Sequence, residues 1–305
     1  MGEEERIKKI VEEIRELESK QRSVCEHLRR DGFEWNEPEM LERTVITKIA
    51  EEKTDGRIIG IDGGMLSEEL HGLDLLLVRG CAVIFDYKKG KLTGYDYFPS
   101  RFPPYEIFVK YSLENYEFAW AKSILRLRNE ISTAVEALKK FSPKAILLDG
   151  SIIPQAADKP SKDSEVFLEY QNLLKRYAEL YSMAEEKNCL ITGVIKDSRG
   201  KQFLDILSRQ LRRGPFEREF HEISARTNDT TFLSSLLSEG ERTFAFRYSR
   251  ECREHPILRD FREWAERICS LYLKPVPFDR PLRVDFLNTA SEKEPKEQLI
   301  QRISS

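Results

Sequence analysis

A chain of 305 residues, 40% of them hydrophobic, is long enough to bury a sizeable core, in one large domain with additions or in two small ones. Charged residues make up 34% but nearly cancel, at a net charge of −3, so the overall charge neither supports nor excludes a nucleic-acid partner. We expect no membrane span and no signal peptide, because no apolar run approaches the length of a bilayer and the N-terminus is acidic. The five cysteines are widely spaced without a CxxC pair, which indicates a reducing cytoplasm, with no disulfide framework and no zinc ribbon.

The first predicted element is a helix over residues 3–30. Its apolar positions recur with a mean period of 3.5 residues, and Asp31-Gly32 is a typical signal for the end of a helix. Two interpretations stay open: the helix lies on its own domain, or it pairs with a second subunit. We assign residues 1–32 to this helix as a dimerisation element, 33–287 to the main domain and 288–305 to a C-terminal tail. The repeated positions are Ile7, Ile10, Ile14, Leu17, Gln21, Val24 and Leu28.

The main domain begins with a segment of no clear pattern, residues 33–55. A strand at 57–62 follows, and then a hairpin of two β-rich runs at 75–87 and 92–98. Amphipathic helices at 114–140 and 164–187 alternate with short apolar strands at 145–148 and 189–195. The remaining elements are predicted as helices at 202–213, 231–237 and 256–273, strands at 243–248 and 282–286, and a frayed or partner-dependent end at 292–305.

This order of elements predicts an α/β fold. The hairpin favours antiparallel pairing, whereas the later β-α-β units favour parallel pairing with right-handed crossovers. We therefore expect a mixed sheet with helices on its faces.

Two of the predicted strands end in the dipeptide Asp-Gly, in IIGIDGG at 58–64 and in AILLDGS at 145–151. Asp-Gly is a common turn dipeptide, so each motif alone has a simple explanation as a turn. Both aspartates, however, follow an apolar segment at the point where we expect the strand to leave the sheet, and ligand sites of α/β sheets lie at such ends. If the two strands are parallel neighbours, Asp62 and Asp149 lie within a few ångströms of each other.

Two carboxylates held that close repel each other, and one of them would be forced to stay protonated. A hard divalent cation, Mn²⁺ or Mg²⁺, relieves the repulsion because it prefers oxygen ligands. The chemistry that follows from such a site is phosphodiester hydrolysis. The four histidines and five cysteines are too scattered to indicate zinc, and the sequence has no GxxxxGK[ST] loop for nucleotide hydrolysis.

Six motifs occur in order along the chain: IDGG at 61–64, LRLRNEISTAVEAL at 125–138, LLDGS at 147–151, GVIKDS at 193–198, TNDTTFLSSLLSEGERT at 227–243 and YLKPVPFDRPLRVDF at 272–286. In this order and at these spacings, the chain resembles the NurA family of archaeal and bacterial DNA nucleases. The resemblance implies an RNase H-like fold, in which the first core strand lies beside the fourth, and a NurA-like nuclease domain over residues 33–287.

The resemblance also implies a metal site of three carboxylates. Asp62 and Asp149 match the metal-binding aspartates of the family, and Glu130 best matches its helical glutamate. Glu136, two turns further along the same helix, is the alternative. A simpler interpretation of Glu130 is a solvated helix residue that pairs with Arg126 at i−4.

Further residues follow from the same comparison. Asp197 is expected as an additional metal ligand and Lys196 as a phosphate contact. Members of the family often carry a C-terminal histidine near the site, which has no match here, and the spacing of His255 does not identify it as a substitute. Asp229 has a simpler explanation as the cap of the helix that starts near Thr231.

Basic residues follow the GVIKDS motif. The best candidates for contacts with DNA phosphates are three arginines, Arg209, Arg212 and Arg213, with a solvated face as the alternative. Three aromatic residues alternate with other residues near several arginines: Phe244, Phe246 and Tyr248. Such aromatic residues can stack on bases, but their strand-like alternation favours a position in the apolar core.

The resemblance implies a Mn²⁺- or Mg²⁺-dependent deoxyribonuclease, a 5′–3′ exonuclease and/or a single-strand endonuclease, that acts in DNA end resection and repair. It implies a homodimer and a HerA-type hexameric ATPase as partner. Two alternatives stay open. One is a non-catalytic adaptor that binds DNA or the ATPase and whose Asp-Gly motifs are turns or relics. The other is an RNase H-like enzyme that acts on RNA or hybrids.

Overall fold

The structure is a computed structural model that describes residues 2–30, 36–111, 113–196, 198–212, 214–291 and 294–305. No helix in these ranges is both long enough and apolar enough to cross a membrane. The strands are β1 (Ile46–Lys48), β2 (Gly56–Leu70), β3 (Leu73–Lys88), β4 (Lys91–Phe98), β5 (Glu106–Tyr111), β6 (Ala145–Asp149), β7 (Leu190–Ile195), β8 (Glu241–Thr243), β9 (Phe246–Arg247), β10 (Ile268–Lys274) and β11 (Leu282–Leu287). The α-helices are α1 (Glu3–Arg30), α2 (Asn115–Phe141), α3 (Phe167–Lys187), α4 (Gln202–Gln210), α5 (Glu217–Arg226), α6 (Asp229–Leu236) and α7 (Lys296–Ser304), and two 3₁₀ helices span Ala156–Asp158 and Leu258–Arg267.

All the described strands belong to one mixed sheet, in the order β1-β8-β10-β11-β7-β6-β2-β3-β4, with β5 paired to β3 and β9 to β10. The β2–β6 and β6–β7 pairs are parallel. The β2–β3–β4 and β7–β11–β10 neighbours are antiparallel. The first core strand, β2, therefore lies beside the fourth, β6, and the predicted RNase H-like mixed sheet flanked by helices is confirmed.

Strand β2 is longer than the sequence predicts and forms a hairpin with β3. The predicted strand at 57–62 is only the first half of β2, which pairs with β3 from Gly56 opposite Tyr87 to Leu70 opposite Leu73. The second half of β2 is uncovered on one face, which is why polar residues interrupt its apolar pattern. β5, which the sequence analysis does not predict, extends this uncovered part as a partner of β3 alone.

The predicted helix at 256–273 is wrong. Residues Leu258–Arg267 form a 3₁₀ helix that is broken at Arg262, where φ is 52°, and residues Ile268–Lys274 form strand β10. The buried residues Leu258, Phe261 and Trp264 have a helical spacing that happens to continue into the strand. The pairing of β10 with β11 and β8 overrides that local pattern, since a central strand obtains its hydrogen bonds from its neighbours.

The expectation of a frayed C-terminus is also wrong for the residues that the structure describes. Lys296–Ser304 form α7, whose Leu299 and Ile300 are fully buried. Ile300 packs with apolar residues of β10 and β11, including Leu271 and Phe286. Burial of these side chains on the sheet holds the short helix, which would be marginal in isolation.

Two larger apolar cores lie on the sheet besides the small one around α7. α2 and α3 cover β2, β3, β6 and β7, with residues such as Ile61, Ile131 and Leu148 between them. The second core brings α1, α4, α5 and α6 together around Phe203, Phe244 and neighbouring rings. Phe244 and Phe246 are fully buried, so the core interpretation of these two aromatic residues is confirmed.

Helix α1 has two different halves. In the C-terminal half, Gln21, Val24, Cys25 and Leu28 are buried in the second core, so this half lies on its own domain. In the N-terminal half, apolar side chains remain exposed to solvent: Ile7 (57%), Ile10 (51%), Val11 (39%) and Ile14 (50%). The end of the helix signalled by Asp31-Gly32 lies outside the described residues.

Candidate functional site

The two Asp-Gly motifs meet at one edge of the sheet. In the parallel β2–β6 pair, Ile61 lies opposite Leu148, so Asp62 and Asp149 are the next residues on adjacent strands. Neighbouring strands lie about 4.8 Å apart, which brings the two aspartates close together as predicted. β6 ends at Asp149, and Gly150 turns the chain with a φ of 122°.

The prediction that the first strand leaves the sheet at Asp62 is wrong. β2 continues to Leu70 as the partner of β3, and only its pairing with β6 ends here. Asp62 is thus an exposed residue within a long hairpin strand. Its carboxylate Oδ1 accepts the backbone N–H of Gly63 at 2.7 Å.

Glu130 of α2 reaches this edge from the helical layer. Its side chain is only 9% exposed and lies over Gly63. A Cβ atom at position 63 would come within 2.3 Å of Glu130 Oε1, so the glycine leaves the room that the carboxyl group occupies. The interpretation of Glu130 as a solvated helix residue is therefore wrong, although its pairing with Arg126 is present, at 2.7 Å from Nη1 to Oε1.

The charges of the three carboxylates act on one another. Burial raises the pKa of Glu130 to about 7; the Arg126 guanidinium opposes this change, and the charges of Asp62 and Asp149 add to it. The alternative residue, Glu136, has a side chain that is 54% exposed and pairs with Lys139 at 3.1 Å. Of the two helical glutamates, Glu130 is the one placed beside the aspartates.

Lys196 lies at the same edge, directly after β7. Its Nζ is 3.2 Å from Asp149 Oδ1, and its side chain is 70% exposed. Two of the three carboxylates thus have a cation at hydrogen-bond distance, Arg126 beside Glu130 and Lys196 beside Asp149. The predicted ligand Asp197 lies outside the described residues.

The donor set fits a divalent cation by its chemistry. Three carboxyl groups from β2, α2 and β6 are close enough for their charges to raise the pKa of Glu130, and hard cations such as Mn²⁺ and Mg²⁺ prefer carboxylate oxygens. In the part of the chain that the structure describes, no three His, Cys, Asp or Glu side chains converge as ready metal ligands. Because Arg126 pairs with Glu130 and Lys196 with Asp149, a bound cation would compete with these two side chains for the carboxylate oxygens.

A small cavity of about 140 Å³ adjoins the carboxylates, and Arg126, Glu130, Asp149 and Tyr177 are among its lining residues. Tyr177 on α3 is fully buried, and its hydroxyl has no hydrogen-bond partner among the described residues. Burial raises the pKa of Tyr177, and the charge of Glu130 raises it further. Sequence reasoning misses this tyrosine because it falls on the buried stripe of α3, where an aromatic residue predicts only packing.

The predicted DNA-binding arginines differ in their surroundings. The side chain of Arg209 is 23% exposed, and its guanidinium pairs with Glu37, at 3.2 Å, and with Glu39. Arg212 is exposed just beyond the end of α4. Arg213 lies outside the described residues. Contacts of these arginines with phosphate stay predictions, and the structure already supplies Arg209 with two carboxylate partners.

The predicted capping role of Asp229 is wrong. Its buried carboxylate accepts the backbone N–H groups of Phe203 and Leu204 at 3.0 Å each, and so caps α4 rather than α6. Asn228 caps α6 instead, by accepting the N–H of Thr231 at 3.0 Å. Sequence spacing cannot reveal such a cap, because Asp229 reaches a helix that precedes it in the chain.

His255 also has a structural contact. Its Nδ1 accepts the backbone N–H groups of Ile257 and Leu258 at 3.2 Å each, at the start of the second 3₁₀ helix. Its ring meets Tyr248 edge to face. Burial lowers the pKa of His255. That ring nitrogen is therefore engaged by the backbone.

The strand order and the carboxylates at the β2–β6 edge define the class of protein, an RNase H-like domain with an acidic site built from two strands and a helix. A family model described as the NurA domain matches residues 56–305, and the chain belongs to the NurA family. None of the curated proteins has a significant match to this chain.

Among solved structures, one of NurA agrees with this chain in fold. A structure of NurA bound to dAMP and manganese aligns over 98% of this chain and 92% of that chain, at 12% identity and a TM-score of 0.52. The NurA nuclease from Sulfolobus solfataricus aligns over 97% and 85%, at 18% identity and a TM-score of 0.49. Endonuclease V from Ciona intestinalis, in complex with an inosine-containing DNA, aligns over 96% and 89%, at 12% identity and a TM-score of 0.33.

Proposed function

We propose that this protein is a metal-dependent nuclease that hydrolyses phosphodiester bonds in DNA. The observation that carries the proposal is the alignment of Asp62 and Asp149 on the parallel strands β2 and β6, with Glu130 of α2 near enough for their charges to raise its pKa. Membership of the NurA family supports it, as does the solved NurA that is bound to dAMP and manganese.

The three carboxylates have the role of holding Mn²⁺, or Mg²⁺, which when bound supplies Lewis-acid activation of the phosphodiester. Asp62 and Asp149 are exposed, so their carboxylate oxygens can bind the cation on the side that is open to the substrate. Glu130 supports them from the buried side, over Gly63. Asp197, which follows Lys196, is proposed as a further ligand on grounds of sequence alone.

DNA contacts are proposed for the cations that remain accessible. Lys196 is mostly exposed and lies beside Asp149, so its ammonium group can leave that carboxylate and bind a phosphate oxygen of the substrate instead. Arg212 is exposed next to α4, and Arg213 follows it in the sequence. Arg209 is left out of this part of the proposal because Glu37 and Glu39 already neutralise it.

The proposal includes a homodimer and a HerA-type hexameric ATPase as partner in DNA end resection. Exposed apolar residues support protein partners of some kind, since a lone monomer rarely leaves large apolar patches in water. One set is the N-terminal half of α1. A second set lies on the open hairpin and β5: Leu66 (56%), Leu70 (51%), Ile107 (64%), Val109 (58%) and Tyr111 (88%). Location in the cytoplasm stays a prediction from the cysteine pattern.

The decisive experiment incubates the purified full-length protein with end-labelled single- and double-stranded DNA in Mn²⁺, in Mg²⁺ and in EDTA. We expect cleavage with metal and none in EDTA. Asp62→Ala and Asp149→Ala should each lower the cleavage rate by more than about a hundredfold. Loss of a residue that only supports a metal ligand costs up to about that much, and loss of a ligand itself should cost more. Glu136→Ala, an exposed acid on the same helix as Glu130, is the matched control and should cleave normally. Equal cleavage by the aspartate variants and the wild type would refute the proposal.

A second candidate is an adaptor with a degenerate site, which binds DNA or the ATPase without cleaving. It is favoured by the two cations that already pair with Glu130 and Asp149. In that case the wild type would bind DNA, and neither Mn²⁺ nor Mg²⁺ would produce cleavage. A labelled RNA and an RNA–DNA hybrid in the same assay address the remaining alternative, because preferential cleavage of either would assign the site to RNA.

A further inference from the structure

A buried carboxylate lies outside the carboxylate site, on the central strand β11. Asp285 is fully buried. Its Oδ1 accepts hydrogen bonds from Ser270 Oγ at 2.6 Å and from Arg283 Nε at 2.7 Å. Both donors belong to the β10–β11 pair, so this half of the carboxylate is held within the sheet.

The other oxygen of Asp285 is bound to the loop that follows β6. Ser151 Oγ donates to Asp285 Oδ2 at 2.7 Å, across 134 positions of sequence. Ser151 stands two residues after Asp149, in the same Asp-Gly-Ser motif. Its Oγ also accepts the backbone N–H of Ile153 at 3.3 Å, so one hydroxyl ties together the loop and the sheet.

The loop reaches Asp285 by crossing β7 at a glycine. Gly193 pairs with Asp285 on one side and with Leu148 on the other. A Cβ atom at Gly193 would come within 2.2 Å of the carbonyl oxygen of Gly150. Any larger residue at 193 would push the loop away. The loop is also held by the backbone N–H of Gly150, which donates to the carbonyl of Val194 at 3.1 Å, and by the Tyr181 hydroxyl, which donates to the carbonyl of Ile152.

We propose that Asp285 is a positioning residue for the site, which acts through Ser151 to fix the loop that starts at Asp149 and thereby the direction of the Asp149 carboxylate. This inference rests on the proposed function. The carboxylate of Asp285 does not touch a substrate or a metal in this role. It is a buried group of the sheet to which the side chain of Ser151 ties the loop, and Ser270 and Arg283 hold it from the opposite side.

The alternative is that Asp285 only balances the buried charge of Arg283. Substitution of two serines distinguishes the two roles. Both Ser151 and Ser270 donate to Asp285, but only Ser151 belongs to the loop. Ser151→Ala removes the tie to the loop. Ser270→Ala removes a hydrogen bond of similar length to Oδ1, which still accepts from Arg283. The contact between Ser151 and Oδ2 stays in place.

The test measures Mn²⁺ binding to the full-length protein without any substrate, from the electron paramagnetic resonance signal of free Mn²⁺. We expect Ser151→Ala to weaken Mn²⁺ binding about tenfold, the lower end of the range for loss of an outer-shell partner of a metal site. Ser270→Ala should bind Mn²⁺ as the wild type does, although both variants melt at lower temperature. Ser151→Thr keeps the hydroxyl and should restore binding.

Equal Mn²⁺ affinity of Ser151→Ala and wild type, or equal weakening in both alanine variants, would overturn the positioning role. If Ser151→Ala does not fold, Ser151→Cys replaces it, since a thiol is a weak donor of similar shape and should also weaken binding. A wild type that binds no Mn²⁺ at all would instead mean that the proposed function itself is wrong, and Asp285 would then have only its role toward Arg283.

Discussion

Glu130 is held in a place that opposes its own ionisation. Burial, together with the charges of Asp62 and Asp149, raises its pKa from an ordinary 4.5 to about 7. Below pH 4.5 the group is protonated in both the folded and the unfolded chain, so it has no effect on stability. As the pH rises from 4.5 to 7 the unfolded chain releases this proton first, and stability falls. Above pH 7 the whole penalty is present, at most about 3.5 kcal/mol because each pKa unit corresponds to roughly 1.4 kcal/mol.

Glu130→Gln should therefore be more stable than the wild type at pH 8 in EDTA, and the advantage should vanish near pH 4.5. The amide keeps a hydrogen-bonding oxygen for Arg126 and cannot ionise. Urea unfolding curves at the two pH values measure the difference. Glu136→Gln on the exposed side of the same helix is the control and should show no such dependence. A constant difference between Glu130→Gln and wild type at both pH values would contradict this account.

A substitution at Gly63 of β2 tests the position of Glu130. A methyl group at 63 would meet Glu130 Oε1 at 2.3 Å and its Cγ at 2.6 Å, so the glutamate must move. We expect Gly63→Ala to cost about 1–3 kcal/mol by overpacking and to weaken Mn²⁺ binding, measured by titration followed with electron paramagnetic resonance. Gly60→Ala on the same strand meets no atom within 4 Å and should leave both properties unchanged. Normal Mn²⁺ binding by Gly63→Ala would show that Glu130 is not required for the metal.

At the scale of the element, α1 explains why one helical pattern allowed two interpretations. Its C-terminal half is used within the domain, and its N-terminal half leaves Ile7, Ile10 and Ile14 about half exposed. If these residues pair with a second copy, Ile10→Glu should shift the mass from dimer to monomer in light scattering, because a charge would be buried in the contact. Ser19→Glu, an exposed position on the same helix, should remain a dimer. An unchanged mass for Ile10→Glu would leave this half of α1 without a role in dimerisation.

At the scale of the whole molecule, the site links metal binding to stability. Asp149 is about half exposed, and its charge helps to raise the pKa of Glu130. In EDTA, Asp149→Ala should therefore melt at or above the wild type. In Mn²⁺ the order should reverse, because a cation at a hundred times its dissociation constant stabilises the folded wild type by roughly 2.7 kcal/mol. Melting curves in both solutions are the measurement, and parallel shifts of both proteins would mean that Asp149 does not hold the metal.

Local pattern determined much of this molecule. The helix predicted at 114–140 is α2, and the hairpin predicted at 75–98 is β3–β4, because in both the period of the apolar residues matches the element that buries them. The apolar segments that end in Asp62 and Asp149 were likewise enough to suggest a shared edge, since parallel strands bring equivalent ends together.

Contacts between distant parts of the chain decided the rest. Residues 268–274 are a strand because β8 and β11 lie on either side. Asp229 caps α4 by accepting the N–H of Phe203, 26 positions earlier in the chain. Tyr177 faces the site and Arg209 faces two glutamates for the same reason. The sequence by itself determined most of the elements and the two aspartates, whose signals lie within a few residues. Only the tertiary structure decided which side chains surround them, because hydrogen bonds and charge act through space and leave no local pattern in the chain.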